Sequence, residues 1–311
     1  MKSIVALCMN PSVDINTSID HVVAERKLRC GAIHYEPGGG GVNVSRAIQK
    51  LGGQSRAYVP CGGPTGEALM RLLEQESIIH YPLMVKSWTR ENFIVFEKKT
   101  KRQYRFGTPG AKLSNDEWHT SLEEMASLTP KPDMVVASGS LPPGVPDDFY
   151  ARLVERLKKC GITVLLDTSG EPLRQALTKG VYLIKPNLRE LRILVDDDLN
   201  GESDQKDAAM ELVASGRSRI VVVSLGAAGA ILALENRVER IHAPTVTIQS
   251  KVGAGDSMLA GIALKLAHDK PLREAVCFGV AAGTAAVMTP GTELCRREDT
   301  QRLFNNMKER Y

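Results

Sequence analysis

Met134-Val135-Val136-Ala137-Ser138-Gly139-Ser140-Leu141-Pro142-Pro143-Gly144 joins an unbroken apolar run to a polar turn rich in glycine and proline. A short apolar run bounded in this way reads as a strand buried on both faces, as in a parallel sheet. The unit then repeats. A helical pattern over 147–158 leads to Thr163-Val164-Leu165-Leu166, with Asp167 at its end. A further helix leads to Tyr182-Leu183-Ile184 and the segment Lys185-Pro186-Asn187-Leu188-Arg189-Glu190. Helix 204–214 precedes Ile220-Val221-Val222-Val223, which ends in Ser224-Leu225-Gly226. Such alternation predicts an α/β fold, with a mostly parallel sheet covered by helices on both faces. Sheets of this kind bind ligands at the carboxyl ends of their strands. The clusters 138–144, 185–190 and 224–229 fall there.

Working back to the start, Ile4 to Met9 reads as another buried strand. It is too short for a signal sequence, since Asn10-Pro11 and Asp14 interrupt it at once. Val13 to Ile19 alternates apolar and polar residues, as a half-exposed strand does. That change predicts a second, smaller sheet, and Leu28 to Tyr35 is expected to add a strand to it. Pro37-Gly38-Gly39-Gly40-Gly41-Val42-Asn43 follows, and Val44, Ala47, Ile48 and Leu51 mark a helical face. Glycines leading into a helix suit close backbone approach to a ligand; a flexible loop is the plainer reading. Ala57 to Val59 reads as a strand and 66–74 as a helix. Phe93 to Glu97 and Arg102 to Phe106 form a predicted hairpin around the basic turn 98–101. Arg90 and Arg105 flank it, placed either for a ligand or for structural salt bridges.

Towards the other end, 230–234 and 238–242 read as a second hairpin. Ser250-Lys251-Val252-Gly253-Ala254-Gly255-Asp256-Ser257 then opens an apolar helix. Its small residues leave backbone N–H groups uncovered, which suits an anion. A carboxylate there can take a proton from an attacking hydroxyl. Cradle and base together point to phosphoryl transfer, although an ordinary glycine-rich turn explains the string alone equally well. Helix 272–288 is rich in small residues, either for a flat ring or for helix packing. The last helix spans about 298–309.

Composition narrows the classes. The chain has 311 residues, enough for one large domain with or without a small appendage. A net charge of +4 without a clustered basic face argues against nucleic acid as a partner. No apolar run approaches a membrane span. The six cysteines are scattered without zinc-site spacing and read as reduced thiols of a cytoplasmic protein. GxxxxGK[ST] is missing, and so is GxGxxG after the first strand, which disfavours P-loop enzymes and dinucleotide-binding dehydrogenases.

In order, Gly38 to Asn43, Asn187-Leu188-Arg189-Glu190 and Gly253-Ala254-Gly255-Asp256 resemble the motifs of the ribokinase-like (PfkB) carbohydrate kinases, over nearly the whole chain. The resemblance implies a three-layer α/β/α sandwich with a small β-sheet lid. It implies one kinase domain over 1–311, with lid segments at about 12–36 and 88–108. Lys27-Leu28-Arg29-Cys30, Trp88-Thr89-Arg90, Gln103-Tyr104-Arg105-Phe106 and the 138–144 loop look most like the phosphofructokinase B branch. That implies ATP-dependent phosphorylation of fructose 6-phosphate at its 1-hydroxyl, a glycolytic step giving fructose 1,6-bisphosphate. Tagatose-6-phosphate kinase or 1-phosphofructokinase activity is the alternative, and a non-catalytic sugar or nucleotide sensor a more distant one.

Residue roles follow from the same resemblance. Asp256 is the expected base, with Gly253, Ala254 and Gly255 forming the anion hole. Asp14, Asn43, Gly39 and Gly40 would hold the sugar. Arg90 and Arg105, with Lys27 and Ser140, would hold its phosphate. Each charge-assisted contact is worth roughly 1.5–3 kcal/mol, so two would separate a phosphosugar from a free sugar by orders of magnitude. Lys185, Asn187, Ser224, Gly226 and Gly229 would meet the nucleotide's phosphates and ribose, and Val252, Cys277, Val280 and Thr284 its adenine. Asn187 and Glu190 would organise Mg²⁺ largely through water, and Ser250, Val252, Ala286, Thr289 and Gly291 a K⁺ ion. Glu293, where that branch has a basic residue, and the basic tip 98–101 depart from its pattern. The lid sheets would pair two copies into a homodimer.

Overall fold

Every residue of Ile4–Leu7 is buried, and the strand lies inside a sheet rather than at its edge. The computed structural model describes residues 1–308. Its first part forms β1 (Ile4–Leu7), β2 (Ser12–Ile19), β3 (His34–Gly38), α1 (Gly40–Lys50), β4 (Arg56–Cys61), α2 (Gly63–Gln75) and β5 (Ile79–Met84). Next come β6 (Arg90–Glu97), β7 (Arg102–Phe106), α3 (Asn115–Ser127), β8 (Met134–Ser138), α4 (Phe149–Lys159), β9 (Thr163–Asp167), α5 (Glu171–Leu177) and β10 (Val181–Ile184). The remainder is α6 (Leu188–Val195), α7 (Glu202–Ala214), β11 (Ser218–Ser224), β12 (Ala230–Leu234), β13 (Arg237–Ile241), α8 (Ala254–Ala267), α9 (Leu272–Val287) and α10 (Arg297–Lys308).

The large sheet has nine strands in the order β13-β12-β11-β10-β9-β8-β1-β4-β5. It is parallel from β11 through β5, and only β12 runs in the opposite direction, antiparallel to both β11 and β13. Successive side chains of a strand point to opposite faces, and the two main cores divide accordingly. Ile4, Ala6, Val136, Leu165 and Val222 pack with buried residues of α1, α8, α9 and α10. Val5, Leu7, Val135, Ala137 and Leu166 pack with those of α3, α4, α5 and α7. The result is the expected three-layer α/β/α arrangement.

The small sheet has the order β3-β2-β6-β7. Its registers set Ser12, Asp14 and Asn16 beside Arg90, Asn92 and Ile94, so these side chains share one face. The opposite face carries a cross-strand row of Tyr35, Ile15, Phe93 and Phe106. The polar face is tied to the rest of the molecule. Asn16 Nδ2 donates to Glu36 (2.6 Å) and to Thr292 Oγ1 (3.2 Å), and Thr292 also donates to Glu36. Buried Arg46 of α1 holds Glu36 at 3.3 Å and Glu76 at 2.7 Å.

One expectation needs correction, and two elements are additional to those expected. The strand expected at Leu28 to Tyr35 is instead His34–Gly38, because β2 pairs from Ser12↔Gly38 to Asn16↔His34. Residues 24–33 join no strand and are exposed. The additional elements are β5 and α3. Pro82 interrupts the pattern of β5, which is tolerated because β5 is an edge strand. The glycines of 38–41 are also required by the protein's own atoms. A Cβ on Gly38 would sit 2.5 Å from the Asp14 carboxylate, and one on Gly40 2.5 Å from Ser138 Oγ. Residue 309 of the expected last helix lies outside the described residues.

The same crowding fixes where α1 begins. A Cβ on Gly41 would lie 2.3 Å from the carbonyl oxygen of Leu7. Gly41→Ala must therefore push α1 off the end of β1, and overpacking of this kind costs roughly 1–3 kcal/mol. Urea denaturation should show a lower midpoint with an unchanged slope, and an unchanged midpoint would refute the packing argument.

Candidate active site

Five strands end at one crevice. Ser138 closes β8 and pairs with Asp167 at the end of β9. Lys185 follows β10, and Asn187 bridges to Ser224 at the end of β11. Asn10 lies just past β1. The start of α8 enters this crevice. Gly253, at φ 71, is its N-cap, and no side chain caps it. The first bond back into the helix is Ser257 N–H to Gly253 O, 2.8 Å. The N–H groups of Ala254, Gly255 and Asp256 precede it and point out of the helix end, where the backbone dipoles favour negative charge. A side chain at 253 is excluded by space as well, since its Cβ would be 2.3 Å from Leu294.

Asp256 sits in that first turn. Asn43 Nδ2 donates to its Oδ2 at 2.9 Å, and Ser138 Oγ reaches Oδ1 at 3.5 Å. Its carboxyl is pushed up to about 6, first by withdrawal from water and then by the nearby charge of Asp167. Asn43, Lys185 and Ser138 oppose that rise. Buried Lys185 meets Asp167 at 3.1 Å. Burial works against its charge, but Asp167, then Asp256 and Glu190, hold its ammonium above the ordinary lysine value. In the sequence Asp167 is only the residue at the end of a strand. Its position between Lys185 and Asp256 makes it part of this cluster, and no local pattern marks that.

The Asn-x-x-Glu string also has a local task. Asn187 Oδ1 accepts from Glu190 N–H and Glu190 Oε2 from Asn187 N–H, both at 2.9 Å. This is a capping box at the start of α6. It leaves Glu190 Oε1 outside the box. Burial, followed at longer range by Asp167, pushes the Glu190 carboxyl above its usual value. Among the described residues no His, Cys, Asp or Glu trio is close enough to hold a metal directly. A divalent ion met through water by Glu190 fits this set, because hydrated Mg²⁺ needs few direct protein ligands.

On the small-sheet side, Asp14 Oδ1 accepts from Ser12 Oγ (2.7 Å) and Asn92 Nδ2 (2.8 Å). Arg90 donates to the carbonyls of Asn10 (2.9 Å), Thr108 (3.3 Å) and Pro11 (3.4 Å). None of these partners carries a charge. Asn10 in turn donates to Ser140 Oγ at 3.1 Å. Arg105 is exposed on the same face of the small sheet as Arg90 and Asp14. Lys27 lies in the exposed 24–33 segment, outside the strands that carry Asp14, Arg90 and Arg105.

The remaining residues divide between an open cavity and the packed interior. Asn187, Ser224 and Gly226 line a cavity of about 490 Å³ with Arg189 and Arg240. Gly229 is buried behind it, where a Cβ would be 2.0 Å from Ile241 O. Val252, Cys277, Val280 and Thr284 are buried, and the Thr284 hydroxyl donates to Val280 O at 2.8 Å. The small residues of α9 serve helix packing: a Cβ on Gly279 would be 2.7 Å from Met258 O of α8. Ser250 Oγ donates to Gly291 O (2.7 Å), and Thr289 Oγ1 to Ala286 O (2.8 Å) and Leu294 O (2.9 Å). These carbonyls and hydroxyls make an oxygen-only cluster directly behind the α8 turn, a donor set that suits an alkali cation.

A family model, "pfkB family carbohydrate kinase", matches residues 5–299. ATP-dependent 6-phosphofructokinase isozyme 2 of Escherichia coli (strain K12) is 44% identical over 98% of this chain and 98% of its own. A 1-phosphofructokinase of Bacillus subtilis (strain 168) is 31% identical over 96% and 98%. Phosphofructokinase-2 from Escherichia coli in complex with potassium superposes with a TM-score of 0.95 at 43% identity, covering 99% of this chain and 100% of that one. The same enzyme in complex with fructose-6-phosphate gives 0.93 at 42% identity, with the same coverage. Among the described residues no helix is long and apolar enough to cross a membrane.

The Asp256 environment makes a direct prediction. In the unliganded protein, carboxyl NMR should place its titration near 6. Asp167→Asn should lower it by removing a like charge, and Asn43→Ala should raise it by removing a donor to the ionised form. A titration near that of a free aspartate would contradict this account of the site.

Proposed function

The chain belongs to the pfkB family of carbohydrate kinases, and on that footing we propose that it phosphorylates fructose 6-phosphate at the 1-hydroxyl with ATP, giving fructose 1,6-bisphosphate. The observation that carries this reading is the Asp256 carboxylate among the uncovered N–H groups of α8, joined through Ser138, the 138–140 turn and Asn10 to the unneutralised Arg90. One end of the crevice suits a phosphoryl group in transfer, and the other suits a phosphate that stays on the sugar.

In this mechanism Asp14 and Asn43 hold sugar hydroxyls, and Arg90 and Arg105 hold the 6-phosphate. Gly39 and Gly40 keep the floor low. Asp256 accepts the proton of the attacking hydroxyl; Asn43 keeps its carboxylate oriented. The N–H groups of Ala254, Gly255 and Asp256 stabilise the charge that develops on the phosphoryl oxygens. Lys185 adds positive charge on the nucleotide side. Ser224 and Gly226 border the nucleotide phosphates and ribose, and the Val252, Cys277, Val280 and Thr284 cluster backs the adenine. Mg²⁺, met by Asn187 and Glu190 largely through water, would neutralise nucleotide phosphate charge. K⁺ among Ser250, Val252, Ala286, Thr289 and Gly291 would stiffen the α8 turn. The small sheet acts as a lid over the sugar.

A coupled ADP assay should give fructose 6-phosphate a higher kcat/KM than tagatose 6-phosphate, fructose 1-phosphate or fructose. A clear preference for either of the other phosphosugars would replace the assignment.

The lid also supplies a surface for self-association. Tyr35, Phe93 and Phe106, at 54%, 45% and 57% exposure, extend the apolar row around buried Ile15. A second copy placed lid to lid would cover this row, in keeping with a homodimer. Phe93→Glu should then shift the protein to a smaller species in sedimentation; an unchanged mass would argue against lid pairing.

A further inference from the structure

Packing alone does not explain the side chain of Asn10. It is 7% exposed. Its backbone oxygen accepts from Arg90 Nη2 at 2.9 Å, and its Nδ2 donates to Ser140 Oγ at 3.1 Å. Its Oδ1 is buried without a hydrogen-bond partner. On that side the amide is covered by Gly110, where a Cβ would come within 2.1 Å of Oδ1. A buried amide with one end unpaired is disfavoured relative to an apolar side chain of the same shape. The contact that remains is the one to Ser140.

The position of Asn10 in the fold shows what that contact does. Arg90 begins β6 of the small sheet, whereas Ser140 lies in the turn after β8 of the large sheet. Asn10 belongs to neither element and touches both, with its main chain on one and its side chain on the other. We propose that Asn10 is a positioning residue: it fixes Ser140 relative to Arg90 and so sets the width of a pocket for the phosphate of the sugar. This rests on the phosphosugar reading above. The amide then acts on discrimination between a phosphorylated sugar and the same sugar without phosphate, rather than on the transfer step at Asp256.

The test compares fructose 6-phosphate with fructose in the wild type, Asn10→Ala, Ser140→Ala and the double variant. Asn10→Ala should raise the KM for fructose 6-phosphate about tenfold, well beyond its effect on kcat or on the KM for ATP. The preference for fructose 6-phosphate over fructose should fall by a similar factor. Because Asn10 acts through Ser140, the double variant should be no worse than Ser140→Ala alone. Asn10→Asp, which keeps size and can accept from the Ser140 hydroxyl, should weaken fructose 6-phosphate far more than fructose through its charge. Equal losses on both sugars, or multiplicative effects in the double variant, would overturn the proposal. If Asn10→Ala does not fold, Asn10→Asp decides by the same ratio. A wild type without preference for the phosphosugar would instead sink the functional reading itself.

Discussion

One buried cation has to answer for several carboxylates at the carboxyl ends of the strands. Lys185 meets Asp167 at 3.1 Å, and its charge is also felt by Asp256 and Glu190. A single ammonium cannot neutralise all three. The imbalance appears in the carboxyls of Asp256 and Glu190, which are both pushed up, first by burial and then, more weakly, by Asp167. Positive charge brought by a metal or by the N–H groups of α8 has a ready place here. The architecture supports this cluster: five strand ends fix its backbone, and the N-termini of α1 and α8 supply donors.

Crowding at those helix starts explains why side chains are absent where they would interfere. Glycines at 38, 40 and 41 let β3 and α1 press against Asp14, Ser138 and Leu7. Gly253 lets α8 turn in a left-handed conformation directly under Leu294. In each case the immediate cause is contact with the protein's own atoms. An open floor for a substrate is the consequence. The packing of helix against strand end and the shape of the crevice are one constraint.

The small sheet is attached both by an apolar cluster, in which Val13 packs with Val42, Val59 and Leu69, and by polar contacts. Arg90 holds carbonyls of Asn10 and Pro11, Asn16 and Glu36 hold Thr292, and Arg46 holds Glu36 and Glu76. Thr292 belongs to the same loop as Thr289 and Gly291, behind the α8 turn. The loop that holds Glu36 of the small sheet through Thr292 is thus the same loop that supplies Thr289 and Gly291 behind the helix start.

The α/β class, the strand–helix alternation from β8 to β11, and the Gly253–Asp256 turn were legible in the residues themselves. Those features depend on local periodicity and on short-range turn chemistry, which a chain carries wherever it folds. Membership of a kinase family was legible for the same reason, through motifs that each lie within a few consecutive residues. Tertiary structure decided the rest. It paired β2 with His34–Gly38 instead of the residues before them, and it made an edge strand of a segment containing Pro82. It set Asp167 beside Lys185, and Asn10 between Arg90 and Ser140. These are contacts between residues far apart in the chain, and which of them form depends on which elements pack together. The carboxylate of Asp256 is named by its motif, but its environment is made by four other segments of the chain.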